Sequence, residues 1–147
     1  MEESRFARLV PELMVSDISS SLKFWVGLCG FSILYQREEE GFALLDLGGA
    51  QVMLDELRGA RRWVTGELVV PFGRGINLEI KVDSLEPLIT ALDAAGWPVY
   101  QGVEEQWYRS NDVEIGVRQF LVQDPDGYLL RFSARIGVRQ YLIESGT

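Results

Sequence analysis

Histidine is missing from this chain altogether, and cysteine occurs once, as Cys29. The first absence removes imidazole as a metal ligand, and the second makes an intrachain disulfide impossible. Cys29 adjoins Gly30 at an expected helix end among apolar residues, a setting for packing rather than for a nucleophile. No apolar run approaches the length of a membrane span, so no membrane partner is expected. Positive charge is scarce as well. Lys and Arg number 14 against 22 Asp and Glu, a formal charge of −8, and the pI is near 4.6. Such a surface repels phosphate backbones, which argues against nucleic acid, and it would draw in a cationic small molecule. The same charge also serves solubility. The acidic N-terminal stretch with Glu2, Glu3 and Glu12 does not resemble a signal peptide, so a cytoplasmic location is the expectation.

What the chain does have is a repeat. Glu12-Leu13-Met14-Val15-Ser16-Asp17-Ile18 is answered by Glu79-Ile80-Lys81-Val82-Asp83-Ser84-Leu85, an offset of 67. After a helix-like run in each copy, Gly30-Phe31-Ser32-Ile33 is answered by Gly96-Trp97-Pro98-Val99, now at an offset of 66. Self-similarity of this length dictates architecture before any single element does. One domain of two halves follows: module one at 9–55, a connecting segment at 56–74, module two at 75–134, and a tail at 135–147.

Within module one, Leu9 to Val15 reads as a strand and Asp17 as the cap of a helix from Ile18 to Leu28, which Gly30 can end. Ser32 to Arg37, Phe42 to Leu47 and Gln51 to Leu54 read as strands, with a Gly48-Gly49 hairpin. Arg58, Arg61, Arg62 and Arg74 give the connecting segment a local positive excess, and Trp63 would staple it down. In module two, Ile76 to Val82 reads as a strand, and Ser84 caps a helix with Pro87 in its first turn. Pro98 to Gly102 is the next strand, and Glu104 to Glu114 reads as a polar loop. Arg118 to Val122 and Tyr128 to Ala134 flank the turn Asp124-Pro125-Asp126-Gly127, and the tail carries enough apolar residues to dock.

Taken in order, Leu13-x-Val15-x-Asp17, Phe24-Trp25, Leu28-x-Gly30-Phe31 and Arg118-x-Phe120-x-Val122-x-Asp124-Pro125-Asp126-Gly127 resemble the vicinal oxygen chelate superfamily. That group holds glyoxalases, extradiol dioxygenases, fosfomycin-modifying enzymes and bleomycin resistance proteins. The resemblance spans about Leu9 to Phe132 and implies an α+β fold. Two tandem βαβββ modules would form curved, cup-like mixed sheets, commonly in a homodimer. In metal-dependent relatives the ligands come from the first and last strands of each module. By similarity Asn77 stands where histidine is usual, and the offset places Val10 at its counterpart in module one. Arg131, four residues after Gly127, takes the usual glutamate position, and the same spacing from Gly49 gives Met53. Valine donates nothing, a thioether is soft, and a guanidinium repels a cation, so no metal or cofactor is expected.

The resemblance is closest to the metal-free bleomycin resistance type. It implies stoichiometric sequestration of a cationic, partly planar, antibiotic-like ligand in a cleft at the dimer interface. Tyr35 and Phe42 align with aromatic positions of that cleft, and Arg118 with the arginine before the last turn. Drug-binding relatives carry a tryptophan two residues before that arginine. Here the position is Gly116, leaving Trp107 or Tyr108 to supply the missing aromatic face. The candidate ligand-binding residues are therefore Tyr35, Phe42, Met53, Asp55, Asn77, Trp107, Tyr108, Arg118 and Arg131. Arg131 inside a cup needs a partner, expected to be Asp55, Asp46 or an anionic ligand group. The alternative is a metal-independent isomerase or lyase using Asp46, Asp55 or Glu79 as a carboxylate base. A third reading has the cup filled by its own side chains.

Overall fold

In the computed structural model, the described residues are 6–58 and 63–142, so Glu2, Glu3, Arg61 and Arg62 lie outside them. Module one comprises β1 (Glu12–Val15), α1 (Ile18–Leu22), β2 (Ser32–Arg37), β3 (Phe42–Leu47) and β4 (Ala50–Glu56). Module two comprises β5 (Asn77–Lys81), α2 (Glu86–Ala94), β6 (Gln101–Ser110), β7 (Val113–Gln123) and β8 (Leu129–Gln140). Each module is a curved four-stranded mixed sheet, ordered β1-β4-β3-β2 and β5-β8-β7-β6. The first and last strands of each module are parallel, and the other pairs are antiparallel. The α+β duplication is therefore real, and its register is kept. Glu12 pairs with Met53 and Glu79 with Arg131, so Met53 and Arg131 hold equivalent places.

Local chemistry explains most element ends. The Asp17 side chain accepts from Ser19 N at 3.2 Å and caps α1, which widens into a π-helical turn over Lys23–Leu28. Ser84 Oγ accepts from Glu86 N at 3.3 Å, but Leu85 holds the cap position of α2, one residue beyond the expected cap. The apolar faces of both sheets share one core with Phe24, Trp25, Leu88 and Leu92 of the helical segments. Where the modules meet, the β7–β8 turn reaches across. Trp25 Nε1 donates to Asp124 Oδ2 at 3.1 Å, Ser16 Oγ to Asp126 Oδ1 at 2.6 Å, and Tyr128 Oη to Met14 O at 2.8 Å.

Two expectations need correction. The polar loop over 104–114 is a β6–β7 hairpin turning at Asn111 and Asp112, with Asn111 in the left-handed region at φ 58°. The tail is strand as far as Gln140, because β8 continues its pairing with β7. Together these strands form a three-stranded arm beyond the reach of β5. Its polar residues read as loop because both sides of the arm meet solvent, which removes the alternation a half-buried strand shows.

Candidate functional site

Period-two alternation decides what faces away from the helices. In module one that face carries Glu12 and Met14 from β1, Met53 and Asp55 from β4, and Phe42 from β3. A register shift in β2 between Ile33 and Tyr35 brings Tyr35 and Arg37 onto the same face. Of the expected site residues, Tyr35, Phe42, Met53 and Asp55 are thus brought together. The N-terminal segment covers one end of the face: Ala7 N donates to Gln51 Oε1 at 2.8 Å, and the Phe6 ring meets Tyr35 edge-on at 6.3 Å. The other end stays open as a cavity of about 310 Å³. Glu12, Met14, Arg37, Phe42 and Asp55 line it, and Trp63 stands at its edge.

This cavity is acidic and incompletely answered. The Asp55 carboxylate makes no hydrogen bond or ion pair among the described residues. Burial and the neighbouring Asp55 charge push the Glu12 carboxyl above its ordinary range, against a smaller opposing pull from Arg37. Two carboxylates held on adjacent strands form a place for a cation. The aromatic side is built by Phe42 and Tyr35, whose rings lie 5.9 Å apart. The rim is rigid. Glu56 accepts from Ile18 N at 2.9 Å and from Arg58 Nε at 2.7 Å, contacts that hold its carboxyl below the usual range. Gly41 makes the close approach here: at φ 68°, a Cβ would stand 2.8 Å from that of Glu56. Trp63 is 82% exposed and has a positive φ of 64°, a sparsely populated conformation for a bulky residue. Glu12, Met14 and Arg37 are cup residues beyond those expected from the sequence. The alternation of Glu12 and Met14 with Leu13 and Val15 was the available signal.

Module two presents the matching face very differently. Arg131 Nε donates to Asn77 Oδ1 at 3.2 Å, its Nη1 to Gln119 Oε1 at 3.3 Å, and its Nη1 lies 3.8 Å from Glu79 Oε2. Gln119 Nε2 donates onward to Tyr108 Oη at 2.7 Å and Glu104 Oε1 at 3.1 Å, while Ser133 Oγ donates to Glu79. Neither Asp55 nor Asp46 answers Arg131, as had been expected: Asp46 accepts from Gln51 Nε2 at 3.0 Å, and Asp55 belongs to the other sheet. Asn77, Tyr108 and Arg131 share this network; Trp107 and Arg118 do not. Those two point to the helix side of the same sheet, where Arg118 Nη1 meets Glu86 Oε1 at 3.2 Å. Trp107 lies over Gly116, where any Cβ would be 2.7 Å from the ring, and the Arg139 guanidinium stands 4.1 Å from the ring centre. Gly116 thus lacks a side chain because Trp107 occupies its space.

The four positions expected from the resemblance to correspond to metal ligands, Val10, Met53, Asn77 and Arg131, do not fit a divalent cation. Val10 has no donor, Met53 offers only sulfur, and the oxygen of Asn77 is engaged by the cationic Arg131. Among the described residues no three acidic or cysteine side chains cluster as a metal site would require. Nor is any helix among them long and apolar enough to cross a membrane.

Comparison with known proteins agrees with this architecture. The family model described as "Glyoxalase/Bleomycin resistance protein/Dioxygenase superfamily" matches residues 5–132. Among solved structures, TioX from Micromonospora sp. ML1 is 22% identical with a TM-score of 0.66, over 88% of this chain and 99% of that one. A protein from the mobile metagenome of V. Pseudocholerae is 20% identical with a TM-score of 0.66, over 90% and 97% of the two chains. A glyoxalase/bleomycin resistance protein/dioxygenase from Alicyclobacillus acidocaldarius is 18% identical with a TM-score of 0.60, over 93% and 96%. At these identities the likeness is one of fold. No curated protein matches the chain.

Proposed function

Because the chain belongs to the glyoxalase/bleomycin resistance protein/dioxygenase superfamily and its donor positions do not suit a metal, we propose that it is a metal-free binding protein of the bleomycin-resistance type. It sequesters a cationic, aromatic, antibiotic-like ligand without making or breaking a bond. One observation carries this reading: the acidic pair Glu12 and Asp55, only partly offset by Arg37, beside the Phe42 and Tyr35 rings, with the exposed Trp63 at the edge. Carboxylates complement an amine or amidine, and aromatic faces gather planar rings. A cavity of about 310 Å³ suits one ring system rather than a whole large antibiotic. A homodimer, in which a second copy closes the open side of the cup, would supply the remaining contact area.

Calorimetric titration of metal-free bleomycin into EDTA-treated protein tests the reading. Submicromolar binding near one ligand per subunit, weakened by Asp55→Asn, is the expected result. Absence of heat at high concentration removes bleomycin, and an unchanged affinity in Asp55→Asn removes the acidic cup.

The raised Glu12 carboxyl favours one second reading, a metal-independent isomerase or lyase with a carboxylate base in the same cup. Of the bases expected from sequence, Asp46 and Glu79 are engaged by Gln51 and by Ser133 with Arg131, whereas Asp55 is open. Recovery of a bound ligand chemically unchanged after prolonged incubation rejects this second reading.

A further inference from the structure

The open cavity of module one already holds a planar cation, and it belongs to the protein. Arg37, at the end of β2, lays its guanidinium 4.1 Å from the centre of the Phe42 ring and 5.9 Å from that of Tyr35. Its Nε donates to Glu40, three residues along. Arg37, Glu40 and Phe42 all line the cavity that Glu12 and Asp55 make acidic. Arg37 side-chain exposure is 43% and that of Glu40 is 56%, so this pair is held at the surface by ring and carboxylate rather than buried.

We propose that the Phe42 face is a subsite for a flat, delocalised cation of the guanidinium or amidinium class, and that Arg37 is its resident placeholder. This rests on the cationic-ligand reading above and narrows it to a charge shape. A ring face attracts a cation through its quadrupole, and a planar delocalised one sheds water more easily than a compact ammonium. An incoming amidinium meets the same ring, with Glu40, Glu12 and Asp55 as acceptors on the surrounding walls. Arg37 must first swing out into solvent. Its presence therefore sets affinity and specificity: a neutral ring gains nothing by displacing a cation from Phe42, whereas a planar cation exchanges like for like. The backbone of β2 need not move, because Arg37 sits at the strand end beside a surface turn.

Benzamidine and its neutral isostere benzamide, titrated by NMR into wild type, Arg37→Gln and Asp55→Asn, provide the test. Arg37→Gln is expected to bind benzamidine more tightly than wild type, on the order of tenfold, since the competing cation is gone. Thermal melting of Arg37→Gln should match wild type, because the removed contacts lie at the surface. Benzamide should bind neither protein. If wild type and Arg37→Gln bind benzamidine equally while Asp55→Asn weakens it, the acidic cup stands and the placeholder role falls. Tighter binding of benzamide as well as benzamidine in Arg37→Gln means that the substitution only made space, which overturns the assigned cation class. If none of the proteins binds benzamidine, the subsite and the cationic-ligand reading fall together.

Discussion

The two modules share a strand order and register yet spend their polar residues in opposite ways. In module two the face opposite the helices is answered from within: Arg131 is shared among Asn77, Gln119 and Glu79, and Gln119 passes the chain on to Tyr108 and Glu104. In module one the equivalent face leaves Asp55 without a partner among the described residues and pushes up the Glu12 carboxyl. The paired positions Met53 and Arg131 show the divergence most directly, since identical backbone register presents a thioether in one sheet and a guanidinium in the other. A duplicated scaffold constrains the strands and leaves the outward face free. One copy became a satisfied wall, and the other leaves the Asp55 carboxylate without a partner among the described residues.

The junction between the copies should give the largest effect. Burial lifts Asp124 to about 6 in the folded protein, above an ordinary aspartate near 3.8. The native state therefore holds this proton more tightly. The resulting stabilisation is full below the unfolded value and is lost as pH rises through about 6. Relative to Asp124→Asn, the wild type should gain roughly 2 kcal/mol of unfolding free energy between pH 7 and pH 4. Parallel denaturation curves across that range would show that the buried carboxyl is already compensated. Next comes Arg131→Leu, which takes the donor from Asn77 Oδ1 and Gln119 Oε1 and the cation from Glu79, and should cost about 1 kcal/mol at neutral pH. Cation binding in module one should be untouched, and a parallel loss of binding would show that the two faces form one site. Smallest in stability is Asp55→Asn, expected within about 0.5 kcal/mol of wild type in chemical denaturation. Its affinity for a cationic aromatic should nevertheless fall about tenfold, since it removes a charge that has no partner among the described residues. If Asp55→Asn unfolds the protein while Arg131→Leu spares it, the contrast between the modules is reversed.

How far the sequence reveals this depends on the range of the interaction. The repeat, the Gly48-Gly49 hairpin, with both φ values positive, and the Asp17 cap are local and legible. Tyr35, Phe42, Met53 and Asp55 share a face because alternation and the repeat place them there, although the β2 irregularity decides the side for Tyr35. The partner of Arg131 was misread because Glu79 lies directly across the parallel β5–β8 pair, a register invisible before the strands are paired. The strand position of Trp107 was missed for a similar reason. In a loop it has no side; in β6 it is fixed opposite to Tyr108. Arg37 follows the same β2 irregularity as Tyr35, whereas no period encodes where Trp63 of the connecting segment comes to lie.

The β7–β8 turn makes the duplication directional. Asp124, Asp126 and Tyr128 all reach from module two into module one, whereas at the matching places in module one Asp46 is held by Gln51 of its own sheet, and Gly48 and Ala50 have no side chain that could reach back. The halves are therefore a donor and a receiver rather than interchangeable copies. Expressed as separate fragments, they should recognise each other in mixed pairs, while two first halves would meet without any such handshake. A gene built from the first module twice would preserve the strand pattern and lose the grammar that joins it.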